Sequence, residues 1–134
     1  SRSSAASDVY KRQGYTGAPR GRKNCIDTGV CVRRKLNVPR GERYELCRSV
    51  HAEANAIISA SRSDMIGATL YLVGKDAGSR EYVQGAQPCS MCKRLIINAG
   101  IERVIARSDR SAFTVTEVKD WVDNDESLSG EYGY

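Results

Sequence analysis

Three features of this 134-residue chain predict an α/β layer fold. Helix-like and strand-like segments alternate in order between residues 52 and 107. The strand-like segments are short continuous apolar runs, as expected of strands covered by other layers. Glycine and proline fall between the segments, where turns are needed. Helix, strand, helix, strand in that order predicts neighbouring parallel strands joined by a right-handed crossover.

The elements follow in order. Residues 1–13, "SRSSAASDVYKRQ", show no amphipathic period, and one choice of codons for "DVYKRQ" gives a transposase-end adapter sequence. They are expected to be a non-native, adapter-like, disordered segment outside the domain. "GYTGAPRG" (14–21) is a punctuated loop, and the basic stretch to Arg48, with "RRK" at 33–35, reads as irregular. "AEANAIISA" (52–60) lacks Gly and Pro and reads as a buried helix. "ATLYLV" (68–73) is a β-rich apolar run beside glycines, hence a buried strand. The loop "GKDAGSREYVQGAQ" (74–87) leads to a second helix, "CSMCKRLIINAG" (89–100), with Gly100 placed as its C-terminal cap. "IERVIAR" (101–107) is the next strand, and "FTVTEVKDWV" adds a strand or a short helix. The domain is therefore set at 14–116, followed by an acidic tail, 117–134, expected to be frayed.

The length fits one domain with a workable core. No apolar run approaches the roughly 20 residues that span a bilayer, and no secretory signal pattern is present. Five cysteines are too few and too unevenly spaced for a disulfide scaffold. A cytoplasmic protein with metal-ligating or buried thiols is the expectation. The net charge of +5 is uneven: −5 over residues 117–134 but +8 over 14–116. A basic domain suits an anionic ligand such as a nucleotide, and equally describes a solvated basic surface.

"PCSMC" (88–92) sets Cys89 and Cys92 three apart, on one face of a helix's first turn. The helix N-terminus favours their thiolates. Alone, the pair could be half of a zinc ribbon, a redox pair or a coincidence. No thioredoxin-like context surrounds it, and the remaining cysteines supply no second pair. The sole histidine, His51, opens "HAEANAI". One imidazole and two thiolates make three ligands, which suits zinc (Zn2+) with an open fourth position for a water of pKa about 7. Glu53, two residues on, converges with His51 only if His51 lies at or before the first helical turn. From there it would move a proton between water and a substrate nitrogen. His-x-Glu followed by Pro-Cys-x-x-Cys is the zinc-deaminase signature.

"CRSVHAEANAI" and "GAQPCSMCKRLIINAGIERVI" resemble the cytidine and deoxycytidylate deaminase superfamily. "GYTGAPRG" and "VPRGERYELC" resemble its deoxycytidylate branch, which includes the bacterial late-competence proteins. The resemblance spans about residues 14–125. It implies a three-layer α/β/α fold with a mixed sheet, lacking here the family's N-terminal helix and hairpin, and so an uncovered face or edge. It implies that His51, Cys89 and Cys92 bind zinc, that Glu53 shuttles protons, and that dCMP becomes dUMP with release of ammonia. Thr16 stands where the family has a substrate-contacting Asn; Ala52 and Arg20, with Arg22 and Lys23, are further candidates for contacts to base and phosphate. Cys25 and Cys47 are candidate remnants of a second, structural zinc site, or else buried thiols. A homo-oligomer and a small pyrimidine nucleotide are the implied partners, with neither membrane nor nucleic acid. Other substrates (a nucleoside, a free base or a tRNA base) and a non-catalytic zinc-binding fragment are the alternatives. This particular chain is expected to be weakly active or inactive.

Overall fold

The structure is a computed structural model that describes residues 2–7, 13–39, 42–75, 79, 81–82 and 86–125. Its elements are β1 (Arg2–Ser7), β2 (Gln13–Tyr15), α1 (Cys25–Thr28), α2 (Val32–Lys35), α3 (Ala52–Ile58), α4 (Arg62–Met65), β3 (Thr69–Lys75), α5 (Ser90–Ala99), β4 (Arg103–Arg107), β5 (Phe113–Glu117) and α6 (Val118–Asp123), with a 3-10 turn at Tyr44–Leu46. The strands form one mixed sheet in the order β2-β1-β3-β4-β5. Only β3 and β4 run parallel, with Leu70 opposite Val104, and α5 connects them.

The strand parity of β3 and β4 decides where the core sits, because alternate side chains leave a strand on opposite faces. Leu70, Leu72 and Val104 point to one face and are buried there against Ala52 and Ala56 of α3, Ile96 and Ala99 of α5, and Val118 of α6. On the other face Tyr71, Val115 and Phe113 are exposed. The expected α/β fold is thus present as a mixed sheet with helices. Lys93 lies over the Trp121 ring at 5.3 Å, which ties α6 to α5.

The placement of residues 1–13 outside the domain needs correction, as does the expected lack of a hairpin. Arg2–Ser7 is a central strand, antiparallel to β3 over Arg2↔Lys75 to Ser7↔Leu70, and it pairs with β2 on its other side. "RSSAAS" hides this role because serine and alanine carry no apolar alternation to read. Residues 8–12, within the adapter-like segment, lie outside the described residues, as do 126–134 of the expected acidic tail. The start of that tail is α6, whose Val118 is buried in the core.

Two glycines fix how the layers approach. Gly14 of β2 is buried, and a Cβ there would collide with Ala52 O and Ala56 N of α3 and lie 2.8 Å from Asn55 C. Strand and helix backbones therefore touch directly. Gly100 ends α5 at φ +84°, the left-handed conformation of a helix C-cap, with its N–H donating to Ile97 O at 3.1 Å.

Candidate metal centre

Two helix starts build the site. His51 is the N-cap of α3 with extended backbone (φ −70°, ψ 153°), and its carbonyl accepts the first helical bond from Asn55 N at 3.0 Å. Cys89 is the N-cap of α5 in the same manner (φ −70°, ψ 169°), accepting from Lys93 N at 2.8 Å. A residue half outside its helix turns its side chain away from the helical barrel, so both first ligands lean into the gap between the helices. Cys92 follows on the first turn of α5 and Glu53 on the first turn of α3, which is the placement His51 and Glu53 need to converge. Residues of both helices share one core with Leu70 and Leu72 of β3.

The Cys89 and Cys92 sulfurs lie 3.4 Å and 3.6 Å from His51 Nδ1. The three ligand atoms all fall within 4.8 Å of one another. With Zn–S near 2.3 Å and Zn–N near 2.0–2.1 Å, a tetrahedral ion separates nitrogen from sulfur by roughly 3.6 Å. The observed spacing fits zinc, and it names Nδ1 as the ligating nitrogen. Among the described residues this is the one group of three or more metal-ligating side chains.

Metal-free, the three groups share protons. A hydrogen bond from the Cys92 thiol, with the charge of His51, lowers Cys89 to about 4, so it is a thiolate at neutral pH. His51 rises to about 9, held chiefly by its hydrogen bond to Cys89 against the cost of burial, with Cys47 and Glu53 adding to the rise. Cys92 is pushed up as the thiol that donates to Cys89. Glu53 is 5% exposed, and burial pushes its carboxyl up, partly offset by its own backbone hydrogen bond and by Cys92. A raised, buried carboxyl beside a charge-bearing centre is suited to accept and return a proton near neutrality.

The other candidate residues are placed as follows. Ala52 is fully buried at the first position of α3. Thr16 is exposed, one residue before Gly17, which exchanges two backbone hydrogen bonds with Val50, of 3.2 Å and 2.7 Å. That bridge sets Thr16 in a strand-like loop beside the residue preceding His51. Arg20, Arg22 and Lys23 are exposed on the turn that follows. Cys25 begins α1, and neither it nor Cys47 joins a group of three ligands among the described residues. Cys47 is half-buried and adds to the upward shift of His51.

Sequence reasoning passed over two supports. Asn55 Nδ2 donates to Tyr15 O at 2.7 Å and to Val50 O at 3.4 Å, pinning the β2 loop to α3. An asparagine inside an alanine-rich helix is the available signal, since it weakens the helix unless its amide is used. Tyr44 meets the His51 ring edge-on, with centroids 5.4 Å apart and planes at 83°. Nothing in the spacing of Tyr44 and His51 marked that contact.

Comparison with known proteins agrees with this geometry. Residues 8–108 match the family described as the cytidine and deoxycytidylate deaminase zinc-binding region. The chain is 40% identical over 97 residues to a deoxycytidylate deaminase of Mycobacterium phage D29, covering 69% of this chain and 64% of that protein. It is 34% identical over 98 residues to the Homo sapiens deoxycytidylate deaminase, covering 72% and 45%. With the Saccharomyces cerevisiae deoxycytidylate deaminase it shares 33% over 108 residues, 76% and 30%. The matched part thus spans less than two thirds of each relative's length. The matched residues are three-quarters of the chain and their range includes His51, Glu53, Cys89 and Cys92; the chain belongs to the cytidine and deoxycytidylate deaminase zinc-binding family.

Proposed function

We propose that this chain is a zinc-dependent hydrolase that removes the 4-amino group of a cytosine nucleotide, converting dCMP to dUMP and ammonia. The observation that carries this reading is the meeting of His51 Nδ1, Cys89 and Cys92 between two helix starts, with buried Glu53 beside them. When bound, a zinc ion supplies a water acidified to a pKa of about 7. His51, Cys89 and Cys92 are the residues that would hold it. Glu53 takes a proton from the attacking water and passes it to ring N3 as oxygen adds at C4. It then takes the proton of the new C4 hydroxyl and gives it to the departing amino group, so water is consumed, ammonia leaves and the C4 carbonyl remains. Burial of Glu53 keeps bulk water from short-circuiting the transfer.

The substrate reading rests on the deoxycytidylate deaminases to which the chain is similar, and on the basic turn holding Arg20, Arg22 and Lys23, suited to a phosphate. Thr16, beside the Val50 bridge, and the Ala52 backbone are the proposed base contacts. A homo-oligomer in the cytoplasm completes the reading; the free thiols suit a reducing compartment. No helix among the described residues is long and apolar enough to cross a membrane.

The test is turnover by the zinc-loaded chain of dCMP, CMP, deoxycytidine and cytosine, with Glu53→Ala as control. Uracil product from dCMP that disappears in Glu53→Ala supports the reading. One equivalent of zinc bound with no turnover of any substrate would replace it with a non-catalytic zinc module.

A further inference from the structure

His51 reaches the metal centre from a helix cap, and an N-cap residue has little of its own helix to hold its ring in place. Besides the two cysteines, the ring touches the start of a relay. Tyr44 packs edge-on against it. The Arg33 guanidinium lies over the Tyr44 ring, 4.3 Å from its centroid. The same guanidinium donates through Nε to Glu42 O at 3.1 Å and through Nη2 to Pro39 O at 2.8 Å. Arg33 is half-buried and carried on α2, remote in sequence from both partners.

The backbone between them is unusual. Asn37 and Arg43 are the two non-glycine residues with positive φ among the described residues, at 54° and 51°. Arg43 is the residue that launches the 3-10 turn bearing Tyr44. Side chains disfavour this conformation, and it persists where the surroundings hold it. Arg33 supplies that hold, with two hydrogen bonds to carbonyls of the segment and a face for Tyr44 to rest on.

We infer that Arg33 and Tyr44 are positioning residues for the metal ligand His51, orienting its ring so that Nδ1 faces Cys89 and Cys92. This rests on the metal-centre reading proposed above and adds to it residues that touch neither metal nor substrate. Partners that orient a ligating histidine typically alter metal affinity by 10–100-fold when removed. An arginine fork bonded to two carbonyls and stacked on a ring is not replaceable by lysine. Phenylalanine, by contrast, keeps the edge-on ring.

The experiment is cobalt(II) titration of the intact chain, read by thiolate-to-cobalt charge transfer and by the visible bands that report tetrahedral geometry. Circular dichroism establishes that each variant is folded. Tyr44→Leu and Arg33→Lys should each weaken cobalt binding by about tenfold or more and distort the visible bands, with Tyr44→Phe restoring both to near wild type. The double variant should lose no more than the worse single one, since both act through one contact. A folded Tyr44→Leu with wild-type affinity and spectrum overturns the inference. If that variant does not fold, a wild-type titration for Arg33→Lys overturns it equally. Failure of the wild-type chain to take up one cobalt ion would sink the deaminase reading itself, and this inference with it. Unchanged binding in the variants sinks only the inference.

Discussion

The two halves of the metal centre are built on opposite principles. The cysteine half is local: Cys89 and Cys92 share the first turn of the ten-residue α5, and that helix fixes their separation by itself. The histidine half is assembled from a distance. The seven-residue α3 offers His51 only its cap position. Its placement depends on Gly14 against the α3 backbone, on Asn55 reaching Tyr15 O, on the Gly17–Val50 bridge and on the Tyr44 ring. A short helix with a ligand at its cap must borrow rigidity, and here the lender is the chain before it. The cysteine half should therefore withstand changes in residues 13–48, and the histidine half should not.

The strongest test of that asymmetry removes ligands. Cys92→Ala should abolish thiolate-to-metal charge transfer of the native kind and one-equivalent zinc binding. His51→Ala should leave a weak site that still shows two-thiolate absorption. Loss of all thiolate signal in His51→Ala would show that the α5 pair is not independent.

Proton competition comes next. Metal-free, Cys89 is already a thiolate above about pH 4, while His51 keeps its proton to about pH 9 and Cys92 remains a thiol. Between those limits a metal ion must expel two protons, one from His51 and one from Cys92. Affinity therefore rises with pH by about two powers of ten per unit in that window, and by about one above pH 9, where His51 is already neutral. Competition titration with a chelator from pH 5 to 10 measures both slopes. A slope near one throughout would mean that His51 carries no proton for the metal to expel.

Backbone contact gives the next effect. In Gly14→Ala the new methyl meets helix backbone, which cannot rotate away, so a loss of about 3 kcal/mol or more is expected. Gly100→Ala, at the end of α5, should cost about 1–2 kcal/mol for its left-handed backbone, with Ile66 Cγ1 at 3.0 Å adding to it. Thermal or denaturant melts rank the two. Equal losses would mean that β2 is not the brace of α3 described here.

The same division explains what the sequence made legible. Residues 52–58, 69–75, 90–99 and 103–107 carry apolar patterns and caps that act over a few positions, and they form the expected elements nearly where expected. His51, Glu53, Cys89 and Cys92 were readable as chemistry for the same reason: their meaning lies in spacing. β1 was not, because Ser3, Ser4, Ala5 and Ala6 say nothing of burial, and its place between β2 and β3 is decided by partners far along the chain. The short helices α1 and α2 lie in a stretch that composition alone marks only as basic. The Arg33–Tyr44–His51 relay exists only after the loop closes, so no window of sequence contains it.

The smallest effect is the most discriminating. Asn55→Ala removes the 2.7 Å bond to Tyr15 O and the longer one to Val50 O, a loss of about 1–2 kcal/mol. Alanine returns about half a kcal/mol through its better helix propensity, so the net destabilisation should be near 1 kcal/mol. If Asn55 matters only to stability, cobalt affinity in the folded variant will equal that of the wild type. If it also steadies the segment that delivers His51, affinity falls several-fold while the thiolate bands stay unchanged, since α5 is untouched. Asn55→Asp sharpens the choice, because a carboxylate cannot donate and would face two carbonyl oxygens. A graded loss from Asn55 to Ala to Asp in metal affinity, with constant thiolate absorption, would place the β2 loop among the determinants of the histidine half.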